Sequence, residues 1–383
     1  MTRTHSDHVA ASRAIHRRTG KNFYVATRLF PERVRRGTYA LYGFFRVADD
    51  VVDDPDGAAP GEQRRELRRI RSAALGQRET DDSVLRAFRA VADECGIDDR
   101  EIEAFVDAME MDVTVDRYDT HEDLSAYLRG SSVAVAYMML DVMDSDANAD
   151  ARAAGNATDA GTSSNAMTAS DRDRARPHAK ALGEAFQLTN FLRDVREDVM
   201  EFDRIYLPLS TLEQFDVDPA EIEALSFSER FAAAVEYELR RTEQLYREGV
   251  AGIEHLPRDC QFPVLLAAVL YAEHHRLIRR RGNDVLSARP TLSHPRRLAV
   301  AARTWVRWKR SGDPVETFAA VSAVPSADDR DSGHDESDTA DTDDAPRTDP
   351  AAVRLENADS ISADAESVGI RRSIRRRLGE LLS

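Results

Sequence analysis

Two pairs of aspartates have the residue type and the spacing to do chemistry. Asp49 and Asp53 lie in the segment LYGFFRVADDVVDD, and Asp194 and Asp198 lie in QLTNFLRDVRED. On a helix, residues four apart project from one face, one turn from each other. Two carboxylates held that close repel each other unless a cation lies between them. Oxygen ligands without His or Cys favour hard cations, so the spacing predicts a Mg²⁺ or Mn²⁺ site.

The surroundings of the two pairs predict that their helices are mostly buried. Large apolar residues precede both pairs, namely Leu41, Phe44 and Phe45 in one segment and Leu188, Phe191 and Leu192 in the other. Gln187, Asn190 and Asp194 form one polar stripe that continues to Asp198, and Arg46 lies three residues before Asp49. Because Mg²⁺ completes its shell with substrate phosphates, the pattern indicates a site for an apolar molecule with a diphosphate head. The alternative is an acidic, solvated surface, since the chain has 69 acidic residues.

The elements that would position these side chains are helices. Apolar residues recur at helical spacing, strict alternation is rare, and Pro and Gly separate the periodic segments. The predicted helical segments are 32–52, 61–75, 82–95, 101–115, 124–144, 176–198, 228–249, 262–281 and 295–309. We therefore expect one all-α domain over residues 1–325.

Three segments differ from this pattern in composition. Residues 145–176 are rich in Ala, Asp, Ser, Thr and Gly, and we interpret them as a flexible insertion loop. Residues 326–369 hold fourteen acidic residues and three arginines, which predicts a disordered acidic linker. Residues 370–383 have the pattern of a short basic amphipathic helix, able to lie on an anionic membrane surface or to dock on the domain itself.

The overall composition narrows the class of protein. The net charge of −16 argues against nucleic acid as a partner, because phosphate binding needs clustered basic residues. Only three of the 53 basic residues are lysines, which suggests adaptation to high salt, or alternatively a GC-rich genome. Cys95 and Cys260 form no metal motif and are expected to be small core residues. The N-terminus has no apolar segment typical of a secretion signal, so we expect a cytoplasmic protein.

The motifs resemble those of the phytoene synthase/squalene synthase family, the head-to-head prenyltransferases. The resemblance covers residues 15–310 and rests on KNFYVATRLFP at 21–31, on 39–54, on 127–139, on 187–198 followed by RIYLP at 204–208, and on Tyr271 with NDVLSAR at 283–289. It implies an all-α, isoprenoid synthase-type helical bundle around a central cavity. In such a bundle, Asp49, Asp53, Asp194 and Asp198 would hold the Mg²⁺ ions that bind the substrate diphosphates. The resemblance also implies the joining of two geranylgeranyl diphosphates through a cyclopropyl diphosphate to phytoene, in carotenoid biosynthesis.

The resemblance assigns roles to further residues. Gln187 and Asn190 would support the second aspartate motif, while Arg46, Tyr271 and Arg289 would contact the diphosphate or assist its release. Phe23 and Tyr42 match positions that line the substrate entrance and the cavity. Ala136 stands where many members carry Gly, so its methyl group could trim the cavity.

Other functions stay open on the sequence alone. A squalene-type synthase would join two farnesyl diphosphates and would need NADPH, which we do not expect here. A head-to-tail chain-elongating synthase would be expected to carry a GGKR-type segment near its start. A non-catalytic helical binding protein would need no cation at its aspartates.

Two further pairs are interpreted as structural. His274 and His275 point about 100° apart on a helix and have no nearby partners in sequence, so we expect them at the surface or at an interface. Trp305 and Trp308 are expected to be helix-packing residues.

Overall fold

The computed structural model describes residues 26–53, 58–144 and 167–325, and these residues form a helical bundle. Its longer helices are α1 (Glu32–Val52), α2 (Pro60–Ala74), α3 (Ser83–Cys95), α4 (Asp99–Met111), α5 (His121–Leu128), α6 (Val135–Asp144), α7 (Ala169–Phe202), α10 (Glu229–Ala251), α11 (Arg258–Arg279), α12 (His294–Ser311) and α13 (Pro314–Val321). Two short helices, α8 (Leu209–Gln214) and α9 (Pro219–Glu223), follow α7. The predicted all-α fold is confirmed.

The helix ends follow local sequence signals. Thr168 and Asp171 form a reciprocal capping box at the start of α7, and Thr120 and Asp123 form another at the start of α5. Because α7 begins at Ala169, the predicted loop 145–176 is wrong at its C-terminal end, where the capping box starts the helix earlier. Residues 145–166 lie outside the described residues, as do the predicted acidic linker 326–369 and the basic helix 370–383.

Helix α1 is held in the middle of the bundle by aromatic packing. The Phe44 ring stacks on Phe88 of α3 with centroids 4.0 Å apart, and Phe45 lies 4.8 Å from Phe105 of α4. Such aromatic pairs stabilise by about 0.5–1.5 kcal/mol beyond the area that they bury. This packing fixes the rotation of α1 and therefore the direction in which its aspartates point.

A π-helical turn, Arg129–Ala134, joins α5 to α6 and packs closely on α4. A Cβ added at Gly130 would lie 2.1 Å from the carbonyl oxygen of Ala104. Only glycine allows the two helices to approach this closely at that position. The turn brings α6 alongside α7, where the two helices share the wall of a cavity.

No helix in the described ranges is both long and apolar enough to cross a membrane.

Candidate active site

The first aspartate pair lies on a buried face of α1. Tyr42, Arg46, Asp49 and Asp53 fall at i, i+4, i+7 and i+11, and all four are at most 1% exposed. The Arg46 guanidinium donates to Asp49 at 2.6 Å and to Asp50 at 2.5 Å. Burial on its own would lower the pKa of Arg46, but the neighbouring carboxylates outweigh it and the pKa is raised. Arg46 therefore remains a buried cation beside the first pair.

The second pair lies on an equally buried face of α7. Gln187, Asn190, Asp194 and Asp198 are all buried. The side-chain amides of Gln187 and Asn190 have no hydrogen-bond partner in the described part of the chain. A buried polar group left without a partner costs about 1–3 kcal/mol. Two such amides one turn apart, on the face that carries both aspartates, indicate a surface built to bind a polar ligand.

Two arginines hold Asp194. The Nε and Nη2 of Arg193 donate to Oδ1 and Oδ2 of Asp194 at 2.9 and 2.8 Å. The Nε of Arg289 lies 2.7 Å from the same Oδ1. The structure thus places Arg289, from the loop between α11 and α12, beside the second motif. Its role in diphosphate contact or release, which the resemblance implied, stays a prediction. The sequence reasoning gave no role to Arg193, because adjacent residues on a helix point in different directions and a bidentate contact between them is not expected from the spacing.

Arg204 connects the two motifs. It follows the C-terminus of α7, where its backbone N–H donates to the carbonyl of Asp198 at 3.1 Å. Its guanidinium lies 3.6 Å from Oδ1 of Asp53 on α1. The end of the helix that carries the second pair therefore lies within one arginine side chain of the first pair. The RIYLP segment was part of the resemblance, but no role had been given to its arginine.

An apolar cavity lies next to this polar end. It is partly open to solvent, and the empty space between its walls is about 740 Å³ when the part open to solvent is included. The walls come from α6, α7, α10, α11 and residues near the start of α1, and include Phe30, Ala136, Met139, Leu182, Gly183, Phe186, Gly249, Leu256 and Val264. Ala136 faces Gly183, where an added Cβ would lie 3.0 Å from the Ala136 methyl group. A small change at this contact would change the width of the cavity.

One face of α7 is shared by the cavity and the polar site. Ala175, Ala179, Gly183 and Phe186 line the cavity, and Asn190 continues the same face one turn beyond Phe186. At 1.5 Å per residue, the distance from Ala175 to Asp194 is roughly 28 Å. The helix thus presents a long apolar surface that ends in a polar, charged one.

Helix α11 closes the boundary between the two surfaces. The Tyr271 ring is buried, with its centroid 4.7 Å from that of Phe186. His274 and His275 were predicted to lie at the surface or at an interface. This prediction is wrong, because this part of α11 is buried on all sides within the bundle and both residues are enclosed. Burial lowers the pKa of His274 to about 3, and His275 contacts Thr189 at 3.0 Å and Glu243 at 3.3 Å.

The remaining predicted residues are placed as follows. Phe23 lies outside the described residues. Trp308 packs on Phe262, with ring centroids 6.3 Å apart, whereas Trp305 is half exposed and does not fit the packing role predicted for it. Cys260 is buried and Cys95 is half-buried.

The donor set fits a hard divalent cation, although its carboxylates face arginines here. Within the described ranges, no group of three or more His, Cys, Asp or Glu side chains is gathered closely enough to hold a metal ion. Asp49, Asp53 and Asp194 each face a guanidinium instead. Carboxylate and amide oxygens are nevertheless the ligands that Mg²⁺ prefers, and the two amides without partners lie beside them.

A bundle of helices around an apolar cavity, with paired aspartates at one end, defines the class of isoprenoid-type synthases. The chain belongs to the squalene/phytoene synthase family, and the sequence model of that family matches residues 16–296. The resemblance stated from the sequence is thus confirmed.

Relatives and solved structures agree with this assignment. The chain is 30% identical over 292 residues to a 15-cis-phytoene synthase of Synechocystis, and this alignment covers 75% of this chain and 81% of that protein. It is 32% identical over 282 residues to a 15-cis-phytoene synthase of Synechococcus elongatus, covering 72% and 85%. A dehydrosqualene synthase crystallised with a ligand shares the fold, with a TM-score of 0.66, 24% identity and coverage of 80% and 98%.

Proposed function

We propose that the protein condenses two molecules of geranylgeranyl diphosphate head to head into phytoene, as a prenyltransferase of carotenoid biosynthesis. The observation that carries the proposal is the shared face of α7, which passes from an apolar cavity wall to the polar stripe of Gln187, Asn190 and Asp194. A prenyl chain in the cavity would place its diphosphate at that stripe. The phytoene synthases among the relatives support the choice of product.

The reaction begins with departure of one diphosphate. The bond between C1 and the diphosphate oxygen breaks, the electron pair leaves with the oxygen, and an allylic cation remains. The double bond of the second molecule attacks C1, and loss of a proton closes a cyclopropane ring. A second ionisation, rearrangement and proton loss give the C40 triene.

The arginines of the site have the charge needed for the leaving group. Arg46, Arg193, Arg204 and Arg289 all face the aspartate motifs, so a diphosphate bound there would lie beside four guanidinium groups. Fixed positive charge near the departing oxygens stabilises the transition state more than the ground state. The apolar walls exclude water that would otherwise quench the carbocations.

We propose that Asp49, Asp53, Asp194 and Asp198 hold Mg²⁺, with Gln187 and Asn190 beside them. The chemistry that bound Mg²⁺ supplies is neutralisation of charge on the diphosphate. We further propose that Phe23 and Tyr42 line the substrate entrance and the cavity, and that Tyr271 contacts the diphosphate or assists its release. Either the released diphosphate or a tyrosine hydroxyl accepts the proton.

The decisive experiment is product identification. Purified protein is incubated with Mg²⁺ and either geranylgeranyl or farnesyl diphosphate, without NADPH, and the products are analysed by mass spectrometry. We expect a C40 product with the mass of phytoene. A C30 product only, or no C40 product with the C20 substrate, would contradict the proposal, and Mn²⁺ and metal-free reactions identify the metal requirement.

The acidic, lysine-poor composition further supports adaptation to high salt. We propose that the folded state needs multimolar salt for full stability, since the Debye length is only about 3 Å at 1 M and the like charges are then screened. Unfolding measured across a KCl series should show stability rising with salt. Peripheral membrane contact through residues 370–383 stays a prediction.

A further inference from the structure

Helix α12 differs in charge from the rest of the protein. It carries six basic residues, Arg296, Arg297, Arg303, Arg307, Lys309 and Arg310, and no acidic residue, in a chain whose net charge is −16. Almost all of α12 lies beyond residue 296, where the match to the family ends. The family match therefore does not account for the composition of this helix.

The outer face of α12 is also unusually apolar. Leu298 is 71% exposed, Trp305 is 51% exposed and Val306 is 41% exposed. Val315, at the start of α13, adds a fourth exposed apolar side chain nearby in sequence. These four account for most of the seven large apolar side chains that are exposed in the described part of the chain. Leu298 and Trp305 are seven residues apart, so they share one face of the helix.

Arg297 donates to the carbonyl of Leu292 at 3.3 Å, and the other five basic residues of α12 divide into two groups. Arg296 contacts Glu273 of α11 at 2.9 Å, and Arg307 contacts Glu316 of α13, so these two hold the helix in place. Arg303, Lys309 and Arg310 are exposed and contact no carboxylate among the described residues. The Lys309 ammonium lies 5.9 Å from the centre of the Trp305 ring. Three cations that have no carboxylate partner among the described residues thus lie beside the exposed apolar stripe formed by Leu298 and Trp305.

The position of α12 relates it to the cavity. On its inner side, Trp308 packs on Phe262 at the beginning of α11. Val264, two residues further along α11, lines the apolar cavity together with Leu256. Helix α12 therefore lies over the cavity wall built by the start of α11.

We propose that the exposed face of α12 docks on the surface of an anionic lipid bilayer. Leu298, Trp305 and Val306 would enter the boundary between headgroups and acyl chains, while Arg303, Lys309 and Arg310 would contact the lipid phosphates. A helix with Trp and Leu on one side and basic residues around them is typical of such interfacial helices. A polyanionic peptide would match the charges but would leave the apolar stripe in water, which is why we favour lipid.

Intrinsic fluorescence gives a site-specific test, because the only two tryptophans of the chain both lie on α12. The full-length protein is mixed with vesicles of phosphatidylcholine alone, or with vesicles that also contain phosphatidylglycerol, at the lowest salt concentration at which circular dichroism shows that the protein is folded. We expect co-sedimentation and a blue shift of tryptophan emission with the anionic vesicles only. Docking through another segment would give sedimentation without the shift and would overturn the proposal.

Charge variants separate α12 from general electrostatics. The triple variant R303Q/K309Q/R310Q should partition roughly 100-fold more weakly, since each basic residue near an anionic surface contributes about 1 kcal/mol. The matched control R68Q/R100Q/R174Q makes the same change in net charge on exposed arginines of α2, α4 and α7 that contact no carboxylate among the described residues, and it should bind like the parent protein. Equal effects of the two triples would overturn the proposal.

The apolar contribution is tested by Leu298→Ser, which should also weaken partition while circular dichroism stays unchanged. Unaltered partition of this variant would contradict insertion of the stripe. If vesicles leave the emission unchanged but added salt alone shifts it, the chain's own acidic residues 326–369 occupy α12, and the lipid proposal fails.

Discussion

The buried side-chain amide of Gln187 should lower the free energy of unfolding relative to a variant with an apolar side chain at this position. Gln187 is completely buried, and neither its Oε1 nor its Nε2 has a partner in the described residues. Replacing it by Met keeps the length of the side chain and removes the polar amide. Since a buried group without a partner costs about 1–3 kcal/mol, Gln187→Met should raise the free energy of unfolding by that amount. The same change should lower turnover, because the amide is then absent from the diphosphate end of the cavity.

Thr189 provides the matched control on the same helix. It is equally buried, but its hydroxyl donates to the carbonyl of Ala185 at 2.8 Å and contacts Tyr246 at 2.9 Å and His275 at 3.0 Å. Thr189→Val keeps the shape and leaves those partners unsatisfied. We therefore expect it to lower the free energy of unfolding by about 1–3 kcal/mol, the opposite sign to Gln187→Met.

Urea unfolding of both variants, in chelator and without substrate, measures the two effects. Steady-state turnover with geranylgeranyl diphosphate is measured on the same preparations. If Gln187→Met is destabilised like Thr189→Val, the Gln187 amide has hydrogen-bond partners in the folded state and the expected gain in stability is refuted. A stabilised Gln187→Met with full activity would instead remove the amide from the proposed site.

The other predictions concern charge, shape and protonation. Asp49→Asn and Asp194→Asn should each lower turnover roughly 100-fold or more while circular dichroism stays unchanged, and retained activity would contradict the proposed ion site. Gly183→Leu should crowd Ala136 and narrow the cavity. When farnesyl and geranylgeranyl diphosphate compete, this variant should therefore form a larger share of C30 product. An unchanged ratio of C30 to C40 product would show that this wall does not determine the preferred chain length. Burial lowers the pKa of His274 from 6.5 to about 3, so the unfolded state binds the proton more readily and stability falls as pH drops below 6.5. Between pH 6.5 and 5, the free energy of unfolding measured in urea should fall by roughly 1 kcal/mol per pH unit less in His274→Asn than in the parent, and identical slopes would contradict the assignment.

Much of the fold could be predicted because the long helices are strongly periodic. Helix α1 begins and ends where the apolar pattern does, at Glu32 and Val52. The short helices α8, α9 and α13 were missed, since five to eight residues contain too few turns for a period to show.

Prediction of the site depended on how local each contact is. The i, i+4 aspartates lie on single helices, so their shared faces follow from spacing alone. The contact between Arg204 and Asp53 joins residues far apart in sequence, and the burial of His275 depends on Thr189 and Glu243 from two other helices. Such partners are defined only once the helices pack, and no periodicity in the sequence indicates them.

Helix α7 also acts as a ruler between the two ends of a substrate. Because Gly183 and Asp194 belong to one continuous helix, the distance from the apolar cavity wall to the carboxylates cannot be adjusted gradually. One inserted residue between them would lengthen the helix by only about 1.5 Å but would rotate every later side chain by about 100°. Adaptation of this enzyme to longer or shorter prenyl chains must therefore proceed through the bulk of wall residues such as Ala136, while the number of residues in the helix stays constant.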